Sequence, residues 1–156
     1  MGLRSDILNH QVSALPMREG LIVAPDARLG ETMQKMQAAH LGCVVVVDER
    51  GRPLGKFTER RLMRLVVAGK AKPDTRVGDH VFGAEDCVTR NDPIHKMIRI
   101  MEDRQLRFII VVDEQGRAIG LTGQKGLMEY IAEHFPRQVK VQRMQAKLHM
   151  DEREGA

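Results

Sequence analysis

The sequence predicts an α+β protein built from two tandem β-α-β-β-α units. Three observations lead there. A constant offset carries Leu41 onto Leu106 and, without a gap, Val46-Val47-Asp48-Glu49 onto Val111-Val112-Asp113-Glu114. Within each copy the hydrophobic period changes in the same order, from helical to strand-like and back to helical. The apolar runs VVVV and IIVV are too continuous for a sheet with one wet face, so the strands are expected to be covered on both sides.

The offset also sets the boundaries. It places Gly51-Arg52 on Gly116-Arg117, Gly55 on Gly120, Leu62-Met63 on Leu127-Met128, Met36 on Met101, Val23 on Val88 and Val12 on Val77. This gives an N-terminal segment 1–11, a first unit 12–69, a linker 70–76, a second unit 77–134 and a basic tail or short helix 135–156. The linker, KAKPDTR, is polar and contains Pro73.

Each element follows from its pattern. Leu29, Met33, Met36 and Ala39 recur at helical spacing, as do Ile94, Ile98 and Met101, so each unit has a helix with an apolar face. CVVVVDERGRPLGKF then reads as a strand, a turn at Asp48 to Gly51 and a second short strand ending at Phe57. In TERRLMRLVVAG, Thr58 is a helix N-cap, Leu62, Leu65 and Val66 form an apolar stripe, and Gly69 is the stop. Met33, Met36, Met63, Met97, Met101 and Met128 read as core rather than as contacts to a cofactor. In the tail, Val141, Met144 and Leu148 can share one helix face; the alternative is a frayed polar end.

Composition bounds the function. With 156 residues, 42% of them hydrophobic and 29% charged, the chain can bury a core, and with 3% aromatic residues and no Trp that core is aliphatic. Net charge is +4 and the pI about 9.3, which suits an anionic partner but is too modest an excess to point to nucleic acid. Cys43 and Cys87 lie inside apolar runs and read as core thiols of a reducing compartment. No apolar leader and no membrane-length span is present in the sequence, so a cytoplasmic protein is expected.

Several chemistries find no support. GRPLGKFT, from Gly51 to Thr58, looks like a phosphate-binding loop, but that motif needs four residues between its glycines and Ser or Thr directly after Lys. Here three residues intervene, and Phe57 follows Lys56. The histidines at 10, 40, 80, 95, 134 and 149 show no metal-ligand spacing, and nothing marks a catalytic set. A non-enzyme with no metal and no cofactor is expected.

VVVVDERGRPLGKFTERRL and IIVVDEQGRAIGLTGQKGL, duplicated in tandem, resemble the strand, turn, strand and helix start of the cystathionine-β-synthase (CBS) domain. The pair resembles a Bateman module. The resemblance implies two units packed through their sheets, a homodimer, and adenosine-containing ligands such as AMP, ADP, ATP or S-adenosylmethionine in clefts between the units. It also implies a segment Gly-x-x-Thr/Ser-x-x-Asp serving each cleft, with the hydroxyl and helix amides on phosphate and the carboxylate on ribose. Unpaired N–H groups and the helix dipole favour an anion at such a place.

Carried over, this segment is Gly55, Phe57, Thr58, Arg60 and Arg61 in the first copy, with Arg61 where the carboxylate belongs. In the second copy it is Gly120, Thr122 and Gly123, with Gly126 in place of the acid. On the first strand the resemblance points to Ile22 and Val23, and beside the ligand to Arg107, which could equally pair with Glu102 or Asp103. Lys56, Arg60, Arg61 and Arg64 either line a phosphate cleft or form a solvated helix face. The first copy thus keeps elements of anion chemistry, and the second, with Gly123 lacking a hydroxyl and Gly126 a charge, reads as mainly structural.

The function expected from this is regulatory binding of an adenosine-type or other phosphate-bearing ligand, transmitted to a partner protein. Two alternatives stand beside it. One is a ligand-free interaction module whose clefts are filled by Arg61 and its neighbours, and the other is a nucleic-acid binder using the basic surface.

Overall fold

The computed structural model of the chain describes residues 2–19 and 21–135. The possible tail helix carrying Val141, Met144 and Leu148 lies outside the described residues. A leading helix, α1 (Leu3–Asn9), precedes the first repeat, which forms β1 (Leu21–Val23), α2 (Leu29–Ala38), β2 (Cys43–Val47), β3 (Pro53–Thr58) and α3 (Glu59–Val67). The second repeat gives the same series: β4 (Cys87–Thr89), α4 (Ile94–Arg104), β5 (Phe108–Val112), β6 (Ala118–Gly123) and α5 (Gln124–His134). Each repeat thus makes a three-stranded sheet in the order of the chain, its middle strand parallel to the first and antiparallel to the third.

The hairpins show why the motif recurs. Asp48 Oδ1 accepts the backbone N–H groups of Arg50 and Arg52, each at 2.9 Å, and Asp113 Oδ1 does the same for Gln115 and Arg117. Gly51 and Gly116, both at φ 78°, occupy the left-handed position that closes the turn. The following arginine then folds back, Arg52 Nε at 2.9 Å and Arg117 Nε at 2.8 Å from the same carboxylates. The N–H of Arg52 foremost, and that of Arg117 in the second copy, hold both carboxyls below the usual range.

Both middle strands are buried on both faces, for two different reasons. In the first sheet Val44 and Val46 turn toward the helices of their own repeat and join Phe57 and Leu65. The alternate residues Cys43 and Val45 turn the other way and meet Ile110 and Leu121 of the second sheet. Ile109 and Val111 face their own helices in turn. The two repeats therefore pack sheet against sheet, and the apolar runs are continuous because each face has a cover.

The repeats also complete each other's cores. Val12, at the head of the first repeat, is buried among Val88, Ile94 and Tyr130 of the second, its N–H donating to the carbonyl of Asp92 at 2.8 Å. Val77, its counterpart at the head of the second, is buried in the first among Val23, Leu29 and Val44, its N–H donating to Ala27 at 2.9 Å. The linker is tied down too, since Pro73 and Thr75 carbonyls accept the N–H groups of Gly30 and Leu29.

Three of the methionines depart from the expected core assignment. Met36 and Met97 are buried and Met101 is partly so, but Met33, Met63 and Met128 are 42%, 67% and 60% exposed. Val66, expected in the α3 stripe, is exposed at 60%, while Leu65 is buried and Leu62 half-buried. Helical spacing identifies apolar positions, and a helix with apolar residues on two sides buries only the side that meets the sheet. Cys43 is buried, as expected of a core thiol, and Cys87 is half-buried; burial pushes the two thiols up to about 12 and about 11.

Candidate functional site

Two clefts open where the last strand of each repeat runs into its final helix. The larger, about 790 Å³, lies at the start of α3 and is faced by the Arg104–Phe108 segment of the second repeat. The smaller, about 210 Å³, lies at the start of α5 and is faced by the His40–Gly42 segment of the first. Each has a wall contributed by a crossing segment. Lys56 and Phe82 exchange backbone hydrogen bonds of 2.8 and 3.2 Å, and Leu121 and Arg18 do so at 3.0 and 3.1 Å.

In the larger cleft Thr58 caps α3, its Oγ1 accepting the N–H of Arg61 at 3.3 Å. The hydroxyl proton remains to be donated. Arg60, Arg61 and Arg64 project from α3, and Arg104 and Arg107 come from the other repeat. Arg61 is anchored, Nε donating to the carbonyl of His80 at 3.1 Å. Arg104 reaches Glu85 at 3.3 Å and lies 3.9 Å from Asp86. The guanidinium groups of Arg60, Arg64 and Arg107 have no hydrogen bond or ion pair among the described residues, so Arg107 is not held by Glu102 or Asp103. Against these five arginines the lining holds one carboxylate, Glu59.

A sixth cation lies beneath them. Lys56 is 1% exposed, with Nζ donating to the carbonyl of Phe108 at 2.9 Å and lying 5.8 Å from the centre of the Phe82 ring. Burial lowers its pKa, and the buried Asp86 nearby partly opposes that. Its counterpart in the other repeat is Leu121, which sits in the apolar layer between the sheets. Arg104, His80 and the burial of Lys56 were not anticipated from sequence. For Lys56 a signal existed, since the repeat aligns it with an apolar residue.

The sequence-predicted residues divide by position. Thr58, Arg60, Arg61 and Arg107 line the larger cleft, and Thr122, Gly123 and again Arg107 line the smaller. Ile22, 46% exposed, and Val23, buried in the first core, line neither, because β1 lies on the far side of β2 from β3. Phe57 is buried against Val44 on the helix side of its sheet. Gly55 and Gly120 are also absent from both linings. They admit the crossing segments: a Cβ at Gly55 would stand 2.9 Å from Phe82 backbone atoms, and one at Gly120 2.8 Å from the Arg18 carbonyl.

The smaller cleft is built around absences of side chain. A Cβ at Gly123, where φ is 150°, would stand 2.1 Å from the carbonyl oxygen of Arg107. A Cβ at Gly126 would lie 3.0 Å from both the Pro16 carbonyl and Thr122 Oγ1. That hydroxyl is buried with no hydrogen-bond partner among the described residues. Arg18, at the rim, pairs with Glu129 at 3.1 Å. No group of three or more His, Cys, Asp or Glu side chains among the described residues could hold a metal ion.

Known proteins show the same architecture. The chain is 25% identical over 119 residues to an uncharacterised protein of Methanopyrus kandleri, an alignment that takes in 76% of this chain and spans 61% of that one. The CBS domain pair of protein MJ0100, solved with 5′-methylthioadenosine and S-adenosylmethionine, superposes with a TM-score of 0.70 at 13% identity, covering 79% of this chain and 96% of that one. The cytosolic domain of the Mg²⁺ channel MgtE, solved with ATP, superposes with a TM-score of 0.61 at 25% identity, covering 72% of this chain and 46% of that one. Residues 6–68 and 85–133 both match the CBS domain. With two such matches, on two units that pack sheet to sheet, this chain belongs to the CBS domain family.

Proposed function

We propose that the chain is a regulatory module that binds a phosphate-bearing ligand of the adenosine-nucleotide class in the larger cleft. Occupancy would pass to a partner protein through the packing of the two repeats. One feature carries the proposal: five arginines from both repeats converge on a cleft of about 790 Å³ with one opposing carboxylate. That volume suits a nucleotide-sized ligand, and Thr58 stands ready to donate at the start of α3. The structure of the MgtE domain with ATP supports the ligand class.

The ligand-free alternative has one contact in its favour, the bond from Arg61 to His80, which fixes that side chain in place without a ligand. A thermal-shift screen against AMP, ADP, ATP and S-adenosylmethionine separates the two. Ligand at about 100 times its dissociation constant stabilises by roughly 2.7 kcal/mol, so the expected outcome is a clear rise in Tm with at least one nucleotide. No rise with any of them would favour the ligand-free module.

The proposal extends to assembly and setting. Met63, Val66 and Val67 on α3 and Met128 on α5 leave large apolar side chains exposed, which supports a homodimer formed through these helices. Free Cys43 and Cys87 support a reducing, cytoplasmic setting, and no helix among the described residues is long and apolar enough to cross a membrane. The ligand is expected to emerge chemically intact, as from a sensor rather than an enzyme.

A further inference from the structure

We infer that the larger cleft recognises a chain of phosphates, and that the ligand's phosphate charge, more than its nucleoside, sets the affinity. This rests on the ligand-binding role proposed above and concerns what the site reads.

The first observation is where the amides of α3 go. A helix start can hold one phosphate through its free N–H groups. Here the N–H of Glu59 donates to the Gly42 carbonyl at 3.0 Å and that of Arg61 to Thr58 Oγ1 at 3.3 Å. Two of the first three donors are already satisfied within the protein. Binding must therefore draw on side chains.

The second observation is which side chains are available. Arg60, Arg64 and Arg107 are exposed, and their guanidinium groups carry no partner among the described residues. Arg61 has given only Nε to His80, leaving its terminal nitrogens. Arg60 and Arg64 are one helical turn apart, which separates their Cβ atoms by about 5–6 Å, and Arg107 approaches from the other repeat. One phosphate can meet one or two such forks, whereas a row of phosphates can meet all of them. Each guanidinium is a planar fork suited to phosphate oxygens.

The third observation is the lack of a counterweight. Glu59 is the cleft's one carboxylate, and its Oε2 lies against Gly42, 3.0 Å from where a Cβ there would stand. Arg104 is set against Glu85 and Asp86, but Arg60, Arg64 and Arg107 have no counter-ion among the described residues, and a polyanion bridging the two repeats relieves their mutual repulsion. The triphosphate of a nucleotide and inorganic polyphosphate share this chemistry.

Titration calorimetry on the full chain with adenosine, AMP, ATP and sodium tripolyphosphate tests the inference, at low and at physiological ionic strength. The expected result is ATP at least about tenfold tighter than AMP. Tripolyphosphate should compete with ATP, both affinities should fall with salt, and adenosine should bind weakest. Arg64→Ala, at an exposed position that leaves the fold intact, should weaken ATP and tripolyphosphate about tenfold and AMP much less. Tripolyphosphate binding without competition against ATP would assign it to inorganic polyphosphate at another surface and overturn the inference for this cleft. AMP as tight as ATP, with no tripolyphosphate binding, would overturn the phosphate-chain inference and leave the nucleotide-binding proposal standing. Absence of binding by all four would overturn both.

Discussion

The two clefts arise from one duplicated plan and differ in size and in the side chains that line them. At equivalent positions the larger has Thr58 and the smaller Gly123, the larger Lys56 and the smaller Leu121, the larger Arg61 and the smaller Gly126. In the larger cleft these side chains supply a cap, a buried cation and an anchored guanidinium. In the smaller one, the glycines let Arg107 and Pro16 backbone atoms approach closely, leaving about 210 Å³. Position within a repeat fixes the backbone geometry. What stands opposite fixes whether that geometry is open or filled.

The largest expected effect comes from forcing one cleft to resemble the other. Gly123→Ala places a Cβ 2.1 Å from a backbone carbonyl oxygen, in a backbone conformation that side chains rarely adopt. A loss on the order of 3 kcal/mol or more is expected, measured as a fall in the denaturant midpoint. The reciprocal Thr58→Gly removes only a cap and costs a few tenths of a kcal/mol. Equal losses for the two would break the comparison. In the sequence Gly123 reads only as a missing hydroxyl, because the Arg107 carbonyl that closes on it comes from a distant segment.

Cutting the linker sharpens the relation between the repeats. Val12 and Val77 are buried in each other's units, and Cys43, Val45, Ile110 and Leu121 lie between the sheets. Halves separated within 70–76 should each be unfolded or self-paired and should regain native circular dichroism when mixed. A monodisperse, cooperative folded half would show that the interlocking is dispensable.

Most of the fold was legible because duplication doubles every signal. The Asp48 and Asp113 turns, the apolar runs and the Thr58 cap each follow from local chemistry. The exchange of Val12 and Val77 was not legible, since an apolar residue announces burial and not its partner. Nor was the exposure of Met33, Met63 and Met128, which share helical spacing with buried neighbours. Thr58, Arg60 and Arg61 line the larger cleft where the motif names the helix start, and Arg107 lines it where the resemblance points to a side chain beside the ligand. Arg104 belongs to no motif and reaches the cleft only through the packing of the repeats, as the His80 carbonyl reaches Arg61.

Two threonines give an opposed pair of substitutions. Thr58→Val removes the one hydroxyl at the start of α3 while keeping its shape. Since a hydrogen bond to a charged group contributes roughly 1.5–3 kcal/mol, nucleotide binding should weaken about 10- to 150-fold by titration calorimetry. Thr122→Val removes a buried hydroxyl that has no partner among the described residues. Relief of that desolvation should leave Tm unchanged or raised, with no effect on binding in the larger cleft. If Thr122→Val weakened nucleotide binding as much as Thr58→Val, the smaller cleft would be the working one.

The smallest effect separates Lys56 from Leu121. Lys56→Leu copies the second repeat into the first and removes a titrating group that burial has placed at a lowered pKa. In the wild type, between that lowered pKa and the ordinary lysine value of 10.5, the unfolded chain binds more protons at this residue than the folded chain does. Stability from this group therefore rises with pH across that window. Below it the full penalty of burying the charge is present, set against the bond to the Phe108 carbonyl and the nearby Asp86. Because the other groups are shared, the difference between wild type and variant isolates this contribution. Urea titrations from neutral pH toward 10 should show the wild type gaining on Lys56→Leu as pH rises, and a gap that narrows instead would mean that the ammonium is favoured in the fold, with Asp86 outweighing desolvation.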